Sequence, residues 1–269
     1  MDKFLKFGQL GEKTFSRRTF FLKLQAGNFS TLWPVNIKVI PLEIPKHKKA
    51  TPSSGKFSTI PFERNQSSTN WQTFRVFDSA PALGLLALKD PLADLVSKGK
   101  KSSDSDFVNV TIKEAGNIPF DVEPENLLLL SDRLHSPSST FRVDKKARKL
   151  HFLVVAFVNN KDVFSEVGEI IVRCANPKGE HAIAPPEPHL IQKMLYYPGN
   201  VDNWMPTPIS HTYDSYGKGW STSPALSTSG ATFSIIEIDL GKEELVESVT
   251  VSSLGRMPAI AVVAVTAEK

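Results

Sequence analysis

The chain has 269 residues, a net charge of +4 and 41% hydrophobic residues, values typical of a globular protein with one large domain or two small ones. Its single cysteine excludes an intramolecular disulfide framework and a cysteine-rich zinc site. No apolar run approaches the roughly 18 residues of a transmembrane helix. The twin-arginine-like segment 16–23 is not followed by an apolar core, so we expect no signal peptide.

Positive charge is concentrated at the start of the chain. Residues 1–60 hold eleven Lys and Arg against three Asp and Glu. Such a segment predicts contact with an anionic neighbour, which is nucleic acid, a membrane surface or the acidic face of a partner subunit; solvated surface lysines are the alternative. We predict a basic N-terminal arm over residues 1–30. The residues expected to contact nucleic acid or a subunit are Arg17, Arg18, Lys46, Lys48 and Lys49.

Several segments of the first half have the two-residue periodicity of strands. Residues 33–44 alternate between apolar and polar side chains, and their prolines favour an edge strand. Residues 71–77 and 107–112 alternate in the same way. Residues 81–98 have roughly helical spacing, and Pro91 is expected to limit them to short helical pieces.

Residues 140–176 have the pattern of a hairpin. The segment 149–158 is almost continuously apolar, which predicts a strand covered on both faces. Polar residues 159–162 supply turn chemistry, and a second strand is predicted from residue 167 to Cys174. The proline-rich segment 178–188 then predicts a linker between two domains.

Residues 233–253 have the pattern of a strand, a tight turn and a second strand. Ile236, Ile238 and Leu240 alternate with acidic residues, and Gly241 is expected to end the first strand. Many short strands joined by turn residues predict an all-β protein with sandwich or barrel architecture.

No combination of residues predicts catalysis. The six histidines lack the spacing of a metal site, and the sequence contains no nucleophile elbow, phosphate-binding loop or dinucleotide fingerprint. Cys174 falls inside a predicted strand, where a buried structural thiol is expected. We therefore expect a protein that is not an enzyme and that needs no cofactor or metal.

Aromatic residues cluster ahead of the last predicted strands. Flat aromatic faces beside carboxylates and amides are typical of sugar-binding loops, whereas tryptophans that close the ends of a β core are the alternative. The predicted ligand-binding residues are Trp204, Tyr213, Asp214, Tyr216 and Trp220.

The C-terminal segment resembles the discoidin family of galactose-binding-like β-sandwiches. The matching residues are 219–223 (GWSTS), 235–242 (IIEIDLGK) and 246–251 (VESVTV). The resemblance implies a small β-sandwich module over residues 189–269 that binds glycans or lipid head groups through loops at one end.

Residues 149–177, ending in GEIIVRCANP, weakly resemble the closing strands of jelly-roll coat proteins of small viruses. Such proteins often carry a basic N-terminal arm. The resemblance implies a jelly-roll-like β-sandwich domain over residues 31–177.

The sequence thus favours a non-enzymatic structural subunit of a virion, in the capsid or an appendage, located in the virion or in the cytoplasm of the producing cell. Its partners would be further copies of itself or other particle subunits. A soluble carbohydrate-binding module is the first alternative, and a nucleic-acid-binding protein is the second.

Overall fold

The computed structural model describes two compact units, which comprise Met1–Ile44 and Pro45–Lys269. The described residues are 17–26, 29–38, 55–67, 83–101, 106–131, 136–160, 165–175, 189–197, 201–209, 211–214, 219–254 and 259–269. In the first unit, strands β1 (Arg17–Ala26) and β2 (Phe29–Lys38) pair antiparallel, from Arg17 opposite Lys38 to Ala26 opposite Phe29. This hairpin includes part of the predicted arm and the first half of the predicted edge strand, residues 33–38.

The second unit contains one helix and fifteen strands among its described residues. The helix α1 spans Leu83–Ser97, and residues Lys113–Ala115 form a 3-10 turn. The strands are β3 (Phe57–Thr59), β4 (Gln66–Ser67), β5 (Lys100–Lys101), β6 (Val108–Ile112), β7 (Ile118–Val122), β8 (Asn126–Ser131), β9 (Ser138–Asn160), β10 (Ser165–Cys174), β11 (His189–Tyr197), β12 (Val201–Thr207), β13 (His211–Asp214), β14 (Gly219–Thr222), β15 (Ala225–Thr228), β16 (Ala231–Ser253) and β17 (Ala259–Glu268).

Twelve of the described strands form one antiparallel sheet. Its order is β14-β13-β11-β10-β16-β9-β17-β8-β4, with β12 on β9, β15 on β16 and β3 on β17. Strands β5, β6 and β7 form a separate three-stranded sheet. The predominance of strands confirms the all-β prediction, while the sandwich and jelly-roll arrangements stay predictions.

Strand β9 separates two hydrophobic cores. Leu150, Phe152 and Val154 are buried in one core, and Leu153 and Val155 are buried in the other. Successive side chains of a strand point to opposite faces, so both faces of β9 are covered, as its apolar run predicts. The second core also contains buried side chains of α1 and of β6 and β7.

The helix is longer than the sequence predicts. It runs through Pro91 without a break, and its buried residues Leu88, Leu92 and Leu95 recur at helical spacing. Burial of this apolar face against the second core outweighs the local cost of the proline. No helix among the described residues has the length and apolar character needed to cross a bilayer.

The predicted hairpin at 140–176 is wrong in its pairing. Both strands exist, but β16 lies between β9 and β10 and pairs with each of them. Periodicity predicts which residues form a strand and which face is buried, but it does not specify the neighbouring strand. A strand 70 residues further along the chain therefore displaces the expected local partner.

The predicted strand–turn–strand at 233–253 is also corrected. Strand β16 is continuous over 23 residues, and both of its halves pair with β9. At Gly241, where φ is +81°, the register jumps from Asp239 opposite Lys149 to Glu244 opposite Ala147. Glycine at positive φ suits a bulge as well as a turn, and here the register shifts while the strand continues.

The structure divides the chain at a different place from the sequence. Strand β9 comes from the predicted first domain, 31–177, whereas its neighbours β16 and β17 come from the predicted module, 189–269. Both segments share one sheet inside the second unit. The predicted linker 178–188 lies outside the described residues.

Candidate functional site

Two rows of polar side chains cross one face of the three central strands. The pairing of β16, β9 and β17 sets Glu237, His151 and Thr266 side by side, and it sets Asp239, Lys149 and Glu268 in the next row. Because residues two apart on a strand share a face, all six lie on the same side of the sheet. Beyond them the face turns apolar at Ile235 and Leu153.

His151 is the most enclosed member of these rows, with 1% of its surface exposed. Its Nε2 lies 2.7 Å from Oε2 of Glu268, and Oε1 of Glu268 accepts Lys56 Nζ at 2.5 Å. The Nδ1 atom has no hydrogen-bond partner among the described residues. It lies 3.9 Å from Oε2 of Glu237.

The pKa of His151 is lowered because burial disfavours the charged ring, and this outweighs the opposing effects of the Glu268 hydrogen bond and the Glu237 charge. Burial alone would raise the pKa of Glu268. The hydrogen bonds from Lys56 and His151 and the positive charge of Lys56 outweigh it, so the pKa of Glu268 is lowered. Near neutral pH, His151 is therefore neutral beside an ionised Glu268.

Two lysines hold Glu237 from different sides. Lys149 Nζ donates to Oε1 of Glu237 at 3.0 Å, and this hydrogen bond raises the pKa of Lys149. Lys193, on β11, donates from Nζ to the main-chain oxygen of Glu237 at 2.6 Å. Lys193 is 8% exposed, which is unusual for lysine.

A cavity of about 290 Å³ lies over the polar rows. Strands β9, β11, β13, β14 and β16 contribute to its wall, and the 3-10 turn and the start of β7 supply the apolar Ala115 and Ile118. On its far side, Thr212 and Ser221 face each other across the β13–β14 hairpin with their hydroxyls 2.8 Å apart. The polar and charged lining residues are His151, Lys193, Thr212, Asp214, Ser221, Thr222, Ser223, Glu237 and Asp239.

The lining combines three carboxylates, one ammonium, one imidazole and four hydroxyls. Such a set offers many hydrogen bonds to a small polar ligand. It does not resemble a metal site, since no group of three His, Cys, Asp or Glu side chains in the described ranges is arranged to hold a metal ion.

The structure separates the predicted ligand-binding residues. Asp214 lines the cavity, whereas Tyr213 alternates to the other face of β13 and is 37% exposed. Trp204 and Trp220 lie in β12 and β14, but their side chains lie outside the described part of the chain. Tyr216 lies outside it entirely.

The predicted basic contact residues are described only in part. Arg17 and Arg18 begin β1, and no side chain of this hairpin is described. Lys46, Lys48 and Lys49 lie outside the described residues. Cys174 is buried, and burial raises its pKa to about 12, so its thiol is protonated near neutral pH and is a poor nucleophile.

Sequence reasoning missed four charged or titratable residues that line the cavity, which are His151, Lys193, Glu237 and Asp239. The available signal was polar side chains recurring at every second position of apolar strands, as at Glu237 and Asp239. Alternation of this kind normally indicates a solvent-facing side. Only the pairing of distant strands turns it into the wall of a cavity.

Comparison of the chain with protein-family models, with curated proteins and with solved structures found no match.

Proposed function

We propose that this protein is a binding protein for a small hydroxyl-rich ligand, of the carbohydrate class, and that the ligand occupies the cavity over the polar rows of β9 and β16. The observation that carries the proposal is the lining itself, in which carboxylates and hydroxyls line the cavity together with the apolar side chains of Ala115, Ile118 and Ile235. Carboxylates accept hydrogen bonds from sugar hydroxyls, and apolar walls pack against C–H groups.

The volume of the cavity suits a ligand the size of a single sugar unit. Its volume of about 290 Å³ lies just below the roughly 300–1,000 Å³ of pockets for drug-sized ligands. The wall is also held in place, because Lys193 is hydrogen-bonded to the main chain of β16 and Thr212 to Ser221. A fixed set of donors and acceptors lowers the entropic cost of binding.

The test is titration calorimetry of the purified full chain with a panel of neutral and charged monosaccharides. We expect millimolar or tighter binding of at least one sugar, and we expect Asp214→Asn to weaken it. Asp144→Asn is the matched control, because Asp144 is an exposed carboxylate that pairs with Arg142 and does not line the cavity. Binding that the two substitutions weaken equally, or no binding of any sugar, would contradict the proposal.

The assembly role inferred from the sequence stays a prediction. A virion subunit that contacts its neighbours or nucleic acid through Arg17, Arg18, Lys46, Lys48 and Lys49 would form higher oligomers or nucleic-acid complexes. Light scattering of the purified chain with and without nucleic acid tests this role. A monomer under all salt conditions would count against it.

A further inference from the structure

Resting on the proposed carbohydrate-binding function, we infer that the ligand carries a protonated primary amine, as an amino sugar does, and that this ammonium group binds between Nδ1 of His151 and Oε2 of Glu237.

The protonation state of His151 follows from its neighbours. Glu268 is ionised and can only accept a hydrogen bond. With its Oε2 2.7 Å from Nε2 of His151, the ring proton resides on Nε2. The neutral ring then presents a bare lone pair at Nδ1, which is an acceptor.

That acceptor faces another acceptor. Oε2 of Glu237 lies 3.9 Å from Nδ1, and the other oxygen of this carboxylate accepts from Lys149. Two acceptors cannot bond to each other, and a lone pair buried without a donor is costly. Because hydrogen-bond lengths are about 2.8–3.0 Å, one donor atom placed beside this gap can reach both acceptors.

An ammonium group fits the gap better than a hydroxyl. A hydroxyl has one hydrogen and can satisfy only one of the two acceptors, whereas an ammonium group has three and can satisfy both. Charge favours the same choice, because three carboxylates line the cavity against the single ammonium of Lys193. A charged donor also strengthens each hydrogen bond.

The other charged groups around His151 do not weaken the preference of the gap for an ammonium group. The carboxylates are Glu237 and Asp239 on β16, Glu268 on β17 and Asp214 on β13. The ammonium groups are Lys149 on β9, which is also the strand of His151, Lys56 ahead of β3 and Lys193 on β11. Lys56 is held by Glu268 and Lys149 by Glu237. Neither lysine lines the cavity.

The experiment measures calorimetric affinities of the full chain at neutral pH for four probes: glucosamine, glucose, N-acetylglucosamine and ethanolamine. Since a hydrogen bond to a charged group is worth about tenfold or more in affinity, we expect glucosamine to bind about tenfold more tightly than glucose or N-acetylglucosamine. Equal affinity for the three sugars would overturn the amine inference and leave the carbohydrate proposal standing. Binding of ethanolamine without binding of any sugar would support the amine site and overturn the carbohydrate proposal. No binding of any probe would overturn the amine inference, and the wider panel of monosaccharides then decides the carbohydrate proposal.

Two substitutions test the assigned position. Glu237→Gln keeps the shape of a side chain that is 45% exposed, so the fold is retained, and we expect the preference for glucosamine over glucose to disappear. Glu247→Gln is the matched control, because Glu247 is 43% exposed, pairs with Arg173 and lies away from the cavity. Unchanged preference in Glu237→Gln would overturn the assignment.

Discussion

The guanidinium of Arg64 lies over the ring of Phe62, with its central carbon 4.3 Å from the ring centroid. The side chain is 4% exposed, and burial lowers its pKa to about 10 against the opposing charge of Glu123. Its Nη2 donates to the main-chain oxygen of Val263 at 3.1 Å, and its Nη1 lies 3.3 Å from Glu123. One planar group thus links β17, the segment between β3 and β4, and the residue that follows β7.

Arg64→Lys is expected to lower the free energy of unfolding by about 2–4 kcal/mol, because a lysine cannot stack on Phe62 while reaching both Val263 and Glu123. The matched control is Arg142→Lys, which changes an exposed pair with Asp144 and should cost within about 0.5 kcal/mol. Urea denaturation of the two variants measures the difference. Equal losses in the two variants would show that neither the stacking on Phe62 nor the contacts with Val263 and Glu123 contribute to stability.

Stability is expected to fall as the solution becomes acidic. The folded-state pKa of His151 lies below its ordinary value of 6.5, so the unfolded chain binds more protons once the pH drops through that value. The stability associated with neutral His151 is complete above this pH and is lost as the pH falls towards the folded-state pKa. The lowered pKa of Glu268 adds a second loss at still lower pH.

Urea denaturation at about pH 7.5 and about pH 5.5 checks this dependence. The variant His151→Asn removes the titrating ring, and its stability should change less between the two conditions than that of the natural chain. The quantity compared is the change in unfolding free energy between the two pH values. A general loss of stability from substituting a buried residue lowers both values and does not affect this change. An equally steep pH response in the variant would assign the effect to other groups.

The sequence predicts strands and their faces well, and it predicts their partners poorly. The apolar run at 149–158 indicates a doubly covered strand, and β9 has buried side chains in two cores. Gly241 is recognisable as a break in regular pairing, yet the same residue serves a turn or a bulge. A bulge forms here because β9 continues opposite both halves of β16. The local sequence contains no information about this long-range pairing.

The sequence predicts little of the candidate site. Asp214, which the surrounding aromatic residues indicate as a ligand-binding residue, lines the cavity. A single histidine in an apolar strand, as at His151, normally indicates a core or interface residue. Its relation to Glu237 and Glu268 arises from cross-strand pairing over 86 and 117 residues of chain, a distance at which periodicity has no predictive value.

Gly168→Ala is expected to destabilise the second unit by about 2–3 kcal/mol through overpacking. A Cβ at this position would collide with Cδ1 of Ile260 and with the main-chain oxygen of Ser252. Adding Ile260→Ala removes the first collision and leaves the second, so it should not restore the stability of Gly168→Ala. Thermal unfolding of the single and double variants measures this, and full rescue by the second substitution would contradict the backbone collision.

Gly241→Ala should cost about 1–2 kcal/mol, because φ is +81° and L-residues avoid this region. Space is not the cause, since a Cβ here meets nothing within 4 Å. Gly241→Asn should cost less, because asparagine tolerates left-handed backbone. Chemical denaturation of the two variants checks the order, and equal stability of alanine and glycine would show that the bulge does not require positive φ.

The position of β17 determines when the sheet can fold during synthesis of the chain. This strand pairs with β9 and β8 inside the sheet, and four of its residues help to fill the second core. While the ribosome is still synthesising β16, the residues of β9 from Lys149 to Phe157 lack the partner that β17 provides on one side. Folding of the sheet must therefore wait until β17 has emerged, and before that moment the nascent chain exposes an apolar strand edge of the kind that chaperones bind.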